Sequence, residues 1–361
     1  MTGGVHIEDR ERLAERLLEL VDVPSESLHE QALAAHVRDL LPASLERHHD
    51  AGESLLVATP RRPDTPLVLF AGHLDTVPAQ GNIPGHRADG AVHGLGATDM
   101  KAGLAVMVEL ARWIGDAAPA LGLDAAFLFF PREELPAEQS ALPELFAAAP
   151  LIDEAELVLM MEPTDNTIQP GCLGNMNALV HFRGESAHSA RPWQGVNAIE
   201  LALEGLRPLA AIEPLPVEIQ GLTYTEVLSL TGIEGGIATN VIPDHVSAHV
   251  NFRYAPNRTP EEAERHLRAL VDGAGELEIL SNSAAGRVAA EAPLVQRLRA
   301  LGPFALEPKQ AWTPVAEFAA RGLDAVNFGP GATRFAHRRD EQVPEENLVV
   351  SFHALQRFLS A

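Results

Sequence analysis

Residues 66–78 read PLVLFAGHLDTVP, an apolar run of strand length that hands over at once to His73 and Asp75. The pattern recurs along the chain. The run AAFLFF leads through Pro131 and Arg132 to Glu133 and Glu134, ELVLMM leads to Glu162, and DAVNF leads through Gly-Pro-Gly to His337. A glycine-rich stretch, GLGATDMKAG, delivers Asp99. Short apolar runs bounded by Pro, Gly and charge read as buried parallel strands. In open α/β sheets, ligands bind beyond the carboxyl ends of such strands. Separate segments therefore aim imidazoles and carboxylates at one crevice.

Around these strands the apolar positions repeat at helical spacing over residues 9–20, 30–41 and 141–149, and a further helix is expected to open at Asp99. The middle of the chain differs. ALVHFRG, LSLTGIEGG and SAHVNFRYA alternate, residues 197–209 and 260–271 read as helices, and ELEIL is another strand. Two strand–helix–strand units of this kind make a small α+β sandwich with one open sheet face, and an open face or edge is a natural dimer surface. After Gly286 the pattern returns to that of the first region. The expected division is therefore residues 1–174 plus 287–361 in one domain and residues 175–286 in another.

With 361 residues the chain exceeds one ordinary core and favours two domains. No apolar run is long enough to span a bilayer, and the charged, helix-patterned N-terminus lacks the order of a signal peptide. Cys172 is the only cysteine, which excludes an internal disulfide and a thiolate zinc site. A cytoplasmic enzyme is the expectation. The formal net charge of −23 argues against nucleic-acid or anionic-membrane partners. Screening beyond about 8 Å still leaves room for local arginines to build a positive pocket.

The residue types suit a pair of divalent ions. Histidine is a common ligand, and a carboxylate can bridge ions held ~3.5–4 Å apart. Asp99 suits the bridge. His73 and Asp75 are two apart and point the same way on an extended segment, so Asp75 can fix the tautomer of His73. Neighbouring Glu133 and Glu134 point differently, so one can bind metal while the other moves a proton. The resulting sets are His73, Asp99 and Glu162 on one ion, and Asp99, Glu134 and His337 on the other. Zinc is expected, with cobalt or manganese also compatible with these ligands.

The order HLDTVP, GATDMKAG, EE, EPT, GESAHSARP and AHRRDE resembles the dinuclear-zinc aminoacylase, carboxypeptidase and amino-acid deacylase family. The likeness runs over nearly the whole chain. The resemblance implies a zinc-peptidase-like α/β catalytic domain with a mainly parallel central sheet, interrupted by a smaller α+β lid domain that mediates homodimerisation. It implies His73 and Glu162 as terminal ligands of one zinc, Glu134 and His337 of the other, and Asp99 as the bridge. Asp75 resembles the residue that orients His73, and Glu133 the general acid/base. His188 resembles a lid histidine that reaches a neighbouring subunit's active site and supports the oxyanion. Asn240, Arg253 and Thr313 resemble substrate-binding positions; Arg suits a carboxylate because it offers two parallel hydrogen bonds.

Later segments, including EPTDNTIQPGCLGNMNA and GGIATNVIPDHVSAHVNFRYAP, narrow the likeness to a branch that removes a succinyl group from an acylated diamino acid. Other deacylases and dipeptidases of the family share the chemistry and differ in the pocket. A non-catalytic protein on the same scaffold is disfavoured, because every ligand and Glu133 are present. Two departures touch the substrate side: many relatives have Trp-Thr-Asp where this chain reads Trp312-Thr313-Pro314, and Ala332 stands where an acidic residue often follows Gly-Pro-Gly.

Overall fold

The four apolar runs become neighbouring strands because a parallel sheet is buried on both faces and needs near-continuous hydrophobic sequence. The computed structural model describes residues 2–360. In it Asp124–Phe130, Leu67–His73, Ala155–Met160 and Ala325–Asn327 lie side by side and parallel, in that order. Every residue of the first two is buried. Antiparallel strands extend the sheet at both edges: Ser54–Ala58 and then Glu46–Ala51 beyond Asp124–Phe130, and Gln169–Pro170 beyond Ala325–Asn327. The mixed α/β sheet with a mainly parallel centre is thus the expected one. The strand Glu46–Ala51 gives no signal in the sequence, since ERHHDA is a polar, largely exposed edge without alternation.

The helix Ala102–Ala117 is buried along most of its length, including Glu109, whose carboxylate is met by Arg12 and Arg16 at 2.8 and 2.9 Å. Its start lies hard against the Ala155–Met160 strand. A Cβ at Gly103 would sit 2.3 Å from the Met161 carbonyl oxygen, so only glycine permits this approach. Gly103→Ala is expected to cost about 1–3 kcal/mol through overpacking, read as a lower urea midpoint at unchanged slope.

The expected helix start at Asp99 is corrected. Asp99 has φ −123° and ψ 97°, an extended conformation within a kink, and the helix begins at Ala102. Gly96, at φ +74°, turns the chain into this loop. A three-stranded sheet of His86–Ala88, Ala91–His93 and Gln342–Pro344 lies in the same unit.

The chain separates into two compact units, Met1–Pro170 with Ala289–Glu307 and Glu317–Ala361, and Gly171–Val288 with Pro308–Ala316. The second unit has a five-stranded antiparallel sheet in the order Leu215–Ile219, Leu222–Gly235, His245–Tyr254, Gly174–Arg183, Glu276–Ser283. Alternation puts Met176, Ala178, Val180 and Phe182 on one face with Val246, Ala248, Val250 and Phe252. Leu206 and Leu209 of the helix Ala198–Ala210 and Leu267 and Val271 of the helix Pro260–Val271 complete that core. The latter helix starts at Pro260 behind a capping box of Thr259 and Glu262.

Residues 308–316, which the sequence pattern placed with the first domain, belong to the second unit. Their hydrogen bonds show why. Gln310 Oε1 accepts from the Thr225 N–H at 3.1 Å, Trp312 Nε1 donates to the Ala284 carbonyl at 3.1 Å, and the Thr313 carbonyl lies 3.6 Å from the Cys172 sulfur.

Candidate dinuclear metal centre

Strand ends and one kinked loop of the first unit bring six side chains together. His73 is the last residue of its strand, Glu133 and Glu134 follow Phe130 by a short turn, and Glu162 follows Met160. One ligand atom each from His73, Asp99 and Glu162 lie within 4.8 Å of one another, and so do atoms from Asp99, Glu134 and His337. Asp99 is common to both sets. His73 Nε2 is 3.2 Å from Asp99 Oδ1 and 3.8 Å from Glu162 Oε1. His337 Nε2 is 2.9 Å from Glu134 Oε1 and 3.5 Å from Asp99 Oδ2.

Asp75 holds two parts of this cluster. The close partner of His73 Nδ1 is the Asp75 backbone carbonyl, at 3.0 Å, with the carboxylate at 3.5 Å. A donor at Nδ1 leaves the Nε2 lone pair for a cation. The Asp75 carboxylate itself accepts from the backbone N–H groups of Glu133 and Glu134 at 2.9 and 3.0 Å, and from Ser27 Oγ at 2.8 Å. The carboxylate therefore fixes the Glu-Glu turn, and the backbone carbonyl of the same residue is the close partner of His73.

Electrostatics point to cations. Burial pushes the Glu133 carboxyl well above the usual range; His73 opposes this, while Glu162, Glu134 and Asp99 add to it. Burial also works against ionised Asp99, yet the imidazoles of His337 and His73 outweigh it and hold that carboxyl far below the ordinary value. Hydrogen bonds to Asp99 and Glu134 push His337 up to about 10. Four carboxylates converging on two imidazoles fit two divalent ions, which would neutralise the excess negative charge. His73, Asp99 and Glu162 would hold one ion, and Asp99, Glu134 and His337 the other.

Glu341 supports the loop that carries Asp99, a role the sequence reading missed. It is 2% exposed and accepts from the N–H groups of Gly96, Thr98 and Asp99 at 2.9, 3.0 and 2.9 Å. Burial pushes its carboxyl up to about 7. Glu341→Ala is expected to weaken metal binding about 10–100-fold, the usual cost of losing a partner that orients a ligand. Competition with a chelating dye measures this, and unchanged affinity would remove the role.

The remaining predicted residues lie in the second unit. His188 and Asn240 are neighbours and exposed: His188 pairs with Val241, and the Ser189 N–H donates to the Asn240 carbonyl at 2.9 Å. Arg253 is on the strand His245–Tyr254, with Nε donating to Asn251 Oδ1 at 2.9 Å. Thr313 is buried and its Oγ1 has no hydrogen-bond partner.

The sequence profile of peptidase family M20/M25/M40 matches residues 69–361. The chain belongs to this family. It is 36% identical over 343 residues to a putative succinyl-diaminopimelate desuccinylase of Mycobacterium tuberculosis, covering 94% of this chain and 96% of the relative. It is 35% identical over 352 residues to a succinyl-diaminopimelate desuccinylase of Corynebacterium glutamicum, covering 94% of each. The fold is shared with an aminopeptidase from Bacillus cereus at TM-score 0.77 and 22% identity, over 97% of this chain and 98% of that one. It is also shared with a dinuclear metal-binding M20 peptidase from Bacillus subtilis at TM-score 0.70 and 17% identity, over 97% of both. As an M20 family member, the protein is a hydrolase. No helix among the described residues is long and apolar enough to cross a membrane.

Proposed function

We propose that this M20 protein is a cytoplasmic, zinc-dependent homodimer that hydrolyses N-succinyl-L,L-2,6-diaminopimelate to succinate and L,L-diaminopimelate, a precursor of lysine and the cell wall. The observation that carries this reading is the 94% coverage of the chain by two relatives named for that reaction, together with an intact set of ligands around Glu133.

When bound, two divalent ions supply Lewis acidity and bring the pKa of water down toward ~7. The protein's own groups do the rest. Glu133 takes the proton of the attacking water and returns it to the leaving amine nitrogen. Asp75 keeps the Glu133 backbone in place during this exchange. His188 is suited to support the oxyanion. Its Nδ1 accepts from the Ala190 N–H at 3.1 Å, which puts the proton on Nε2 as an outward donor. Asn240, Arg253 and Thr313 hold the substrate.

Steady-state hydrolysis of N-succinyl-L,L-diaminopimelate, N-acetylornithine and a simple dipeptide by protein carrying two ions per chain tests the substrate. The succinylated substrate should have the highest kcat/KM. A higher value for N-acetylornithine would make the protein an acetylornithine deacetylase.

The role of His188 across a dimer has its own test. A mixture of His188→Ala and Glu133→Gln proteins should recover part of the activity that each lacks, through hybrid dimers. No recovery despite demonstrated subunit exchange contradicts the shared site.

A further inference from the structure

Two loops of the metal centre are gripped by the same short stretch of chain. Residues 23–27, VPSES, follow the first helix and supply no ligand. At one end, Ser27 Oγ donates to Asp75 Oδ2 at 2.8 Å, and Asp75 accepts in turn from the N–H groups of Glu133 and Glu134. At the other end, the Val23 carbonyl accepts from Lys101 Nζ at 2.8 Å. Lys101 stands two residues after Asp99, and its own N–H closes the Asp99 loop on the Gly96 carbonyl at 2.8 Å.

Between these ends the segment is pinned to the residues that follow Asp75. The Thr76 N–H donates to the Ser25 carbonyl at 2.9 Å, and the Ser27 N–H donates to the Thr76 carbonyl at 3.1 Å. Glu26 Oε1 accepts from the Ala79 N–H at 2.9 Å. Pro24 fixes its own φ. The Asp99 loop packs against the same place: a Cβ at Gly96 would lie 2.7 Å from Thr76 Cγ2 and 3.2 Å from Lys101 Cδ. Thr76, Gly96 and the Lys101 stem therefore meet at one point, with no space for the loop to slide.

Lys101 is an expensive way to fill this space. It is 2% exposed, and the bond to Val23 is the one its ammonium makes among the described residues. Burying a charged group costs free energy that an apolar side chain of similar length would avoid. What the ammonium adds is a charge-assisted bond, stronger than one between neutral groups, from the Asp99 loop to residue 23. Catalysis makes such a bond useful. Asp99 and Glu133 come from different loops, and a misplacement of ~1 Å between reacting groups can cost ~10²-fold in rate.

We infer that residues 23–27 are a tie that sets the Asp99 loop at a fixed distance from the Glu133 turn, with Lys101 and Ser27 as positioning residues at its two ends. Lys101 acts through the backbone it shares with Asp99, and Ser27 acts through Asp75. Neither belongs to a ligand set. The inference rests on the roles given above to Asp99 and Glu133 and adds to them the part that holds the two in register.

The test uses the full chain. Ser27→Ala deletes one oxygen at a half-buried position, and Lys101→Met keeps the stem and removes the ammonium. With N-succinyl-L,L-diaminopimelate at saturating metal, Ser27→Ala should lower kcat on the order of 10–100-fold, the usual cost of losing a group that orients a ligand, with KM changed far less. Ser27→Thr restores the hydroxyl and should recover most of the loss. Lys101→Met should weaken metal binding by about 10–100-fold, read by competition with a chelating dye. Ser27→Ala should weaken it too, by less, because a slack tie frees the Asp99 loop.

The double variant reads the coupling. Independent sites lose multiplicatively, whereas two ends of one tie do not. In metal affinity and in kcat, the double variant should lose little more than the worse single one. Losses that multiply overturn the tie, as does unchanged metal affinity in Lys101→Met. If Lys101→Met does not fold, Ser27→Ala decides alone: parental kcat, or parental metal affinity, overturns the tie. The dye needs no substrate, so the metal readout decides the tie even if a different acyl-amino acid proves to be the one hydrolysed. Full activity of Glu133→Gln would instead remove Glu133 from the reaction and leave the metal readout standing.

Discussion

Glu133→Gln should keep both metal ions and lose turnover by about 10²–10⁴-fold, the range set by removing a positioned proton-transfer group. The substitution is nearly isosteric and leaves the backbone N–H of residue 133 free to donate to Asp75, as it does at 2.9 Å in the native protein. Glu133 belongs to neither of the two ligand sets that share Asp99, although its carboxylate lies near His73 and Glu134. Metal content by elemental analysis should therefore remain at two ions per chain while kcat collapses and KM changes little. A near-normal kcat removes Glu133 from the reaction. A drop in bound metal would instead make it a ligand.

Asp99→Asn should have the opposite signature. Asp99 is the side chain common to the two sets, with one oxygen 3.2 Å from His73 Nε2 and the other 3.5 Å from His337 Nε2. An amide offers one oxygen acceptor and no charge, so it cannot serve both ions. Metal affinity should fall by more than the ~10–100-fold cost of losing a supporting partner, with the ion count falling below two per chain and activity falling with it. Retention of two tightly bound ions would show that Asp99 does not bridge.

The legible part of this molecule was the part written in hydrophobic runs. The strands ending at His73, Phe130, Met160 and Asn327 are mostly apolar, and the ligand side chains stand at their ends or in the segments that follow, so the order of the sequence already points His73, Glu134, Glu162 and His337 toward one place. The less legible parts depend on contacts between distant segments. Glu341 stands in the motif AHRRDE, but nothing local marks it as the acceptor for three backbone N–H groups some 240 residues earlier in the chain. The loop around Asp99 looked like a helix start because Lys101 to Ile114 carry helical spacing; the extended backbone at Asp99 is set by that long-range capture.

The hydrogen bonds of Pro308–Ala316 bear on any attempt to exchange specificity by grafting. A chimera built by transplanting residues 171–288 alone from a relative would keep the host's 308–316 segment against a foreign surface. The bonds from Thr225 to Gln310 and from Trp312 to Ala284 would then depend on mismatched partners. The transferable cassette is discontinuous, and both pieces must travel together.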